Sequence, residues 1–103
     1  MIREDQERTL LAGAQAFLAG ETGVIETARA LSMLDRVRPE LRGAVNVLTG
    51  VDSETDDLPI GKVRALWNSA ALVALEPRMI AAIERYRDTV RAACEQIVRV
   101  LDV

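Results

Sequence analysis

Histidine is absent from this chain. No Ser–His or Cys–His nucleophile system can therefore be assembled. Cysteine occurs once, as Cys94, which excludes an intramolecular disulfide and fits a reducing compartment. Aromatic residues number three, Phe17, Trp67 and Tyr86, so a core has to be built from Ala, Val, Leu and Ile. No apolar run approaches the roughly 18 residues that a membrane-spanning helix requires. The first residues, Met1 to Arg8, are charged and have no apolar signal core behind them. Basic residues are not concentrated either. The net charge is −3 with acids and arginines interspersed, which argues against a nucleic-acid-binding face. Gly20, Gly23, Gly43, Gly50 and Gly61 form no phosphate-binding fingerprint, and there is no internal repeat.

What remains is a chain of 103 residues, half of them hydrophobic. That is enough to bury one core without disulfide or metal staples, and residues 1–103 read as a single domain. Lys62 is the only lysine among thirteen basic residues. Arginine in place of lysine, together with abundant alanine, is the bias of GC-rich bacterial genomes. The expected setting is a bacterial cytoplasm, away from membranes and nucleic acid.

Hydrophobic spacing predicts an all-α fold, a small bundle of about four helices with a long C-terminal one. A first helix spans Ile2–Ala19, with Leu10, Leu11, Ala14, Phe17 and Leu18 on its inner face and Arg3, Glu4, Glu7 and Arg8 on an exposed start. Gly20 stops it from the C′ position, where a left-handed backbone is wanted. Thr22 is the expected N-cap of a second helix, Val24–Leu34, and the short turn makes the two an antiparallel hairpin. Pro39 suits the first turn of a third helix ending near Leu48, although residues 44–49 read equally as an extended segment. A central loop, Gly50–Pro59, leads to a helix over Pro59–Trp67 that Asn68-Ser69 interrupts. Ala70–Leu75 forms a buried turn, and Glu76-Pro77 opens the last helix, which runs to Leu101. Met79, Ile83, Tyr86, Val90, Ala93, Ile97 and Val100 form its stripe, widened by Ile80, Cys94, Val98 and Leu101. Glu84–Arg87, Asp88–Arg91 and Glu95–Arg99 are spaced to pair along its outside.

The candidate site is the acidic central segment. Asp52, Glu54 and Asp56 alternate as at the opening of a calcium loop. That pattern then needs a glycine and a later bidentate glutamate, where this chain has Asp57 and Val63. The bland alternative is a clasp, in which Ser53 caps a helix, the acids pair with arginines and Trp67 seals the loop to the core. On that reading Glu54 or Asp56 pairs with Arg64, Arg87 or Arg91. Trp67 and Arg64 lie three apart on one helical face and are favoured interface residue types. Cys94 falls on the apolar side of its helix, as a buried inert thiol does.

The segment Ser53-Glu54-Thr55-Asp56-Asp57-Leu58-Pro59-Ile60-Gly61, followed by Arg64 and Trp67, resembles the signature of a family of short uncharacterised bacterial proteins, a domain of unknown function. Tyr86-Arg87 and Ala93-Cys94 resemble it too. Asp57 departs from it, standing where a larger or basic residue is usual. The resemblance implies a shared loop architecture and assigns no reaction. In size and style the chain is also similar to small immunity proteins encoded beside bacterial toxins.

The expected function is a non-catalytic interaction protein that presents an acidic surface to a partner protein, with no cofactor and no metal. Ser53, Glu54, Asp56, Arg64, Trp67, Arg87 and Arg91 form the candidate cluster. The alternative is a small ligand- or metal-binding domain using Asp52, Glu54 and Asp56. Self-association through the last helix is open.

Overall fold

The computed structural model describes residues 3–60 and 66–102. Among them are four helices and no strand: α1 (Arg3–Leu18), α2 (Val24–Leu31), α3 (Pro39–Thr55) and α4 (Ser69–Leu101). The all-α bundle expected from the hydrophobic spacing is the fold observed. None of these helices is long and apolar enough to cross a membrane.

Helix α1 buries Leu10, Ala14 and Phe17, at the spacing that keeps one face inward. It ends as its glycine dictates. Gly20 adopts a φ of 80°, its N–H donates to the Phe17 carbonyl, and Glu21 N–H donates to that of Ala16. These two bonds make the Schellman closure that satisfies orphan carbonyls at a helix end. Gly13 serves packing instead. A side chain there would meet a methyl of Leu31 at 2.5 Å, so its absence lets α1 and α2 approach closely.

Helix α2 starts at an extended Gly23 with no side-chain cap, and it ends at Leu31 rather than Leu34. Thr22 is not the cap. Its hydroxyl pairs with that of Thr27 at 3.0 Å, which takes it away from the backbone N–H groups it was expected to serve.

Helix α3 opens on Pro39 behind an extended Arg38. Residues 44–49 are helical, and the helix continues to Thr55, well beyond Leu48. Leu41, Ala44, Val45, Leu48, Val51 and Thr55 are all buried, so the inward stripe passes through Gly50 without a break. The expected loop from Gly50 is therefore helix for its first half. Ser53 lies inside α3 and caps nothing, and the acids end a helix instead of starting one.

Helix α4 has 33 residues and begins eight positions ahead of Pro77. Asn68 is its N-cap, accepting the Ala71 N–H at 2.8 Å. Pro77 lies within the helix on its exposed side, where it removes one backbone bond and its ring crowds the Val73 carbonyl. Ala70, Val73 and Ala74 are exposed, so residues 70–75 are helical but not buried. The C-terminal part of α4 packs against α1, α2 and α3 and contributes Val90, Ala93, Cys94 and Ile97 to the core. The expected helix over Pro59–Trp67 falls mostly on residues 61–65, outside those described; Pro59, Ile60, Leu66 and Trp67 are not helical.

Candidate functional site

Two polar clasps organise the bundle, and neither uses the pairs expected from helical spacing. The first joins α1 to the connection between α2 and α3. Glu7 is only 5% exposed. Its Oε2 accepts the Arg38 backbone N–H at 2.8 Å and Arg38 Nε at 3.1 Å, and its Oε1 accepts Nη2 at 3.0 Å. Beside it, Gln6 Oε1 accepts the Arg36 N–H at 2.9 Å. Glu7 was expected on an exposed start, but a chain segment thirty residues away covers it. The Arg38 side-chain bond holds the Glu7 carboxyl below its ordinary value near 4.5, against burial that pushes it upward.

The second clasp sits at the C-terminal end of α3. Asp52, Glu54, Asp56 and Asp57 crowd this end, where the helix dipole is already negative. Arg29, reaching across from α2, offsets both. Its Nε donates to Asp52 Oδ1 at 3.2 Å, Nη2 to the Thr55 carbonyl at 2.5 Å and Nη1 to the Leu58 carbonyl at 3.1 Å. A guanidinium thereby closes carbonyls at a helix terminus, as basic side chains do. Ser32 Oγ lies 3.2 Å from Asp52 Oδ2, so both oxygens of that carboxylate are engaged.

From the same end, two further contacts reach α4. Asp57 pairs with Arg78 at 2.6 Å, and this bond holds the Asp57 carboxyl below its usual range. The Tyr86 hydroxyl donates to Glu54. Glu54, Thr55, Leu58, Arg78, Arg85 and Tyr86 line an open cleft of about 280 Å³ between the helices. Arg85 lies over the Tyr86 ring, 5.3 Å from its centre.

The predicted cluster is therefore not assembled as one unit. Ser53 and Asp56 are exposed, and Asp56 is the C-cap of α3. Arg64 lies outside the described residues. Arg87 and Arg91 line a depression beside the α1–α2 turn, with Phe17, Gly20 and Gly23, away from the acids. The arginine partners of these carboxylates among the described residues are Arg29 and Arg78. The predicted α4 pairs Glu84–Arg87, Asp88–Arg91 and Glu95–Arg99 are not among the described ion pairs, which are Arg8–Asp5, Arg29–Asp52, Arg38–Glu7 and Arg78–Asp57. Trp67 is 39% exposed and Leu66 is 85% exposed, so Trp67 does not seal a loop to the core.

The acids do not converge either. Asp52 turns to α2 and Glu54 to α4, because helical spacing parts side chains two residues apart. Among the described residues no three acids or thiols gather as metal ligands would. Cys94 is fully buried, and burial, with a smaller push from Glu95, raises its thiol to about 11. It is protonated and shielded at neutral pH.

The last helix leaves part of its apolar stripe exposed, the condition on which self-association through it was left open. On α4, Val73 is 67% exposed and Ile80 50% exposed. With Pro77 and Ala81 they floor a groove of about 460 Å³ edged by Glu76 and Glu84. Ile80 had been assigned to the core stripe. Spacing placed it on an apolar helical face but could not show that this position stays half exposed.

No family model, curated protein or solved structure matches the chain.

Proposed function

We propose that this chain is a non-catalytic protein-interaction module acting in a bacterial cytoplasm, in the manner of small immunity proteins. The observation that carries the reading is the exposed apolar face of α4, where Val73 and Ile80 stand in solvent beside Glu76 and Glu84. Singly exposed hydrophobics are ordinary, but a contiguous apolar strip with a polar rim is the usual form of a contact surface. The acidic surface offered to a partner is then on α4. The carboxylates of residues 52–57 serve mainly to hold the bundle together, with Asp52 tied to Arg29 and Asp57 to Arg78.

The chemistry available supports the same side. The sequence offers no histidine, and the lone thiol is buried. Ligand or metal binding through Asp52, Glu54 and Asp56 loses its first member, because Arg29 and Ser32 occupy Asp52.

Affinity capture of the tagged full chain from its native host, quantified by mass spectrometry, tests the reading. A stoichiometric partner should be recovered by the wild type and lost with Val73→Asp/Ile80→Asp. The immunity-like form further expects a toxin gene directly beside this one. Absence of any stoichiometric partner under crosslinking would overturn the interaction reading.

A further inference from the structure

We propose that the α4 groove takes a basic amphipathic helix of a partner protein. This rests on the interaction reading and specifies its chemistry. Val73, Pro77 and Ile80 follow one another at helical spacings of four and three, making an apolar strip about 10 Å long at 1.5 Å per residue, with Glu84 one turn beyond its end. An apolar strip of that length matches about two turns of a partner helix anchored at i, i+3 or i+4, and i+7.

The polar character of the groove selects the sign of the partner. Its lining residues are apolar or acidic: Val73, Glu76, Pro77, Ile80, Ala81 and Glu84. The polar groups of this lining are the two carboxylates, which offer hydrogen-bond acceptors only. A helix with leucine-like anchors flanked by lysine or arginine supplies the donors and the opposite charge, which steers encounter and fixes register.

A second copy fits less well. Laid antiparallel with Val73 on Ile80, it brings the two Glu76 side chains together near the axis. Centred on Ile80, it sets Glu76 against Glu84 twice. The register that matches Glu76 with Arg87 puts Val73 opposite Val90, which is buried beneath the bundle, so Val73 stays uncovered.

The test uses the full chain and two labelled helical peptides, one of leucine and lysine and its counterpart of leucine and glutamate, read by fluorescence anisotropy. The lysine peptide should bind at least about tenfold more tightly than the glutamate peptide, and added salt should weaken it. Ile80→Asp should lower that affinity about tenfold or more. Glu76→Lys/Glu84→Lys should reverse the preference. All these positions are exposed, and unchanged circular dichroism and melting confirm that the variants fold.

Equal binding of both peptides, or a preference that survives charge reversal, overturns the proposal. So does a reversible dimer by sedimentation that Ile80→Asp abolishes, which would give the groove to a second copy. If a partner captured from cells binds the charge-reversed chain as well as the wild type, the interaction reading stands and this assignment of the groove falls.

Discussion

The two ends of α4 belong to one continuous helix and have opposite fates. Towards the C-terminus, Val90, Cys94 and Ile97 have no exposed surface. Among residues 69–82 none is buried, and Val73 and Ile80 stand in solvent. Both ends carry apolar residues at helical spacing. The difference lies in what the rest of the chain supplies. Helices α1, α2 and α3 close around the C-terminal end, whereas among the described residues the N-terminal end meets the acidic end of α3, through Asp57–Arg78 and Glu54–Tyr86. An apolar stripe states that a face can be covered, and the number of neighbouring helices decides how much of it is.

Truncation at matched residues measures this contrast most directly. Ile97→Ala removes packing from a filled core and should cost about 2–5 kcal/mol. Ile80→Ala leaves no cavity and should stay within about 0.5 kcal/mol. Urea denaturation of the two variants checks it. A comparable loss from Ile80→Ala would mean that the N-terminal end of α4 is packed in solution and the contrast is false.

Arg29 comes next, because it holds the only element that touches the N-terminal end of α4 among those described. Arg29→Met should destabilise by about 2 kcal/mol, since the Thr55 and Leu58 carbonyls and Asp52 lose their donor. Amide exchange should quicken in residues 53–58 and again in 69–82, while the neighbourhood of Ile97 changes only with global stability. Uniform quickening would show that α4 opens as one unit.

Glu7 probes the covered side through pH. Its carboxyl titrates below its ordinary value of about 4.5 because Arg38 favours the charged form. A lowered native value means that the unfolded chain binds the proton more readily. The stabilisation is therefore full above about pH 4.5 and is lost as pH falls through the native value. Glu7→Gln should cost about 1–2 kcal/mol at neutral pH. The gap from wild type should narrow on acidification below pH 4.5, as read from chemical denaturation at a series of pH values.

Much of the fold was legible in the residues. Gly20 stops α1, Pro39 starts α3, and the stripe from Ile83 to Leu101 runs along the bundle with Cys94 inside it. Each of these rests on local chemistry or on periodicity, which a sequence displays. The boundaries were lost where a local signal competed with a distant one. Gly50 and the acids after it look like a loop, yet Leu48, Val51 and Thr55 keep the inward spacing, and burial outweighs one glycine's helix cost of about 1 kcal/mol. Pro77 looks like a start, yet the helix begins eight residues earlier at the Asn68 cap and runs through it. The candidate site was less legible. Glu7, Arg29 and Arg38 find partners about twenty to thirty residues away, and no spacing rule reaches that far. Exposure of part of the α4 stripe was left open for a related reason, because spacing shows that a face is apolar and not whether it is covered.

Asn68 gives the finest division between the two ends of α4. Its side chain satisfies the Ala71 N–H at the very start of the helix, so Asn68→Ala should cost about 0.5–1 kcal/mol. Because no residue of 69–82 is buried, that loss should remain local. Exchange at Ala71 and Leu72 should quicken severalfold while the melting temperature moves little, and Asn68→Asp should restore protection by capping the helix and favouring its positive end. A melting shift approaching that of Ile97→Ala would tie the first turn of α4 to the core. The helix would then be one cooperative element along its length, and the exposed face at Val73 and Ile80 would be held rigid for a partner by the same forces that fill the core.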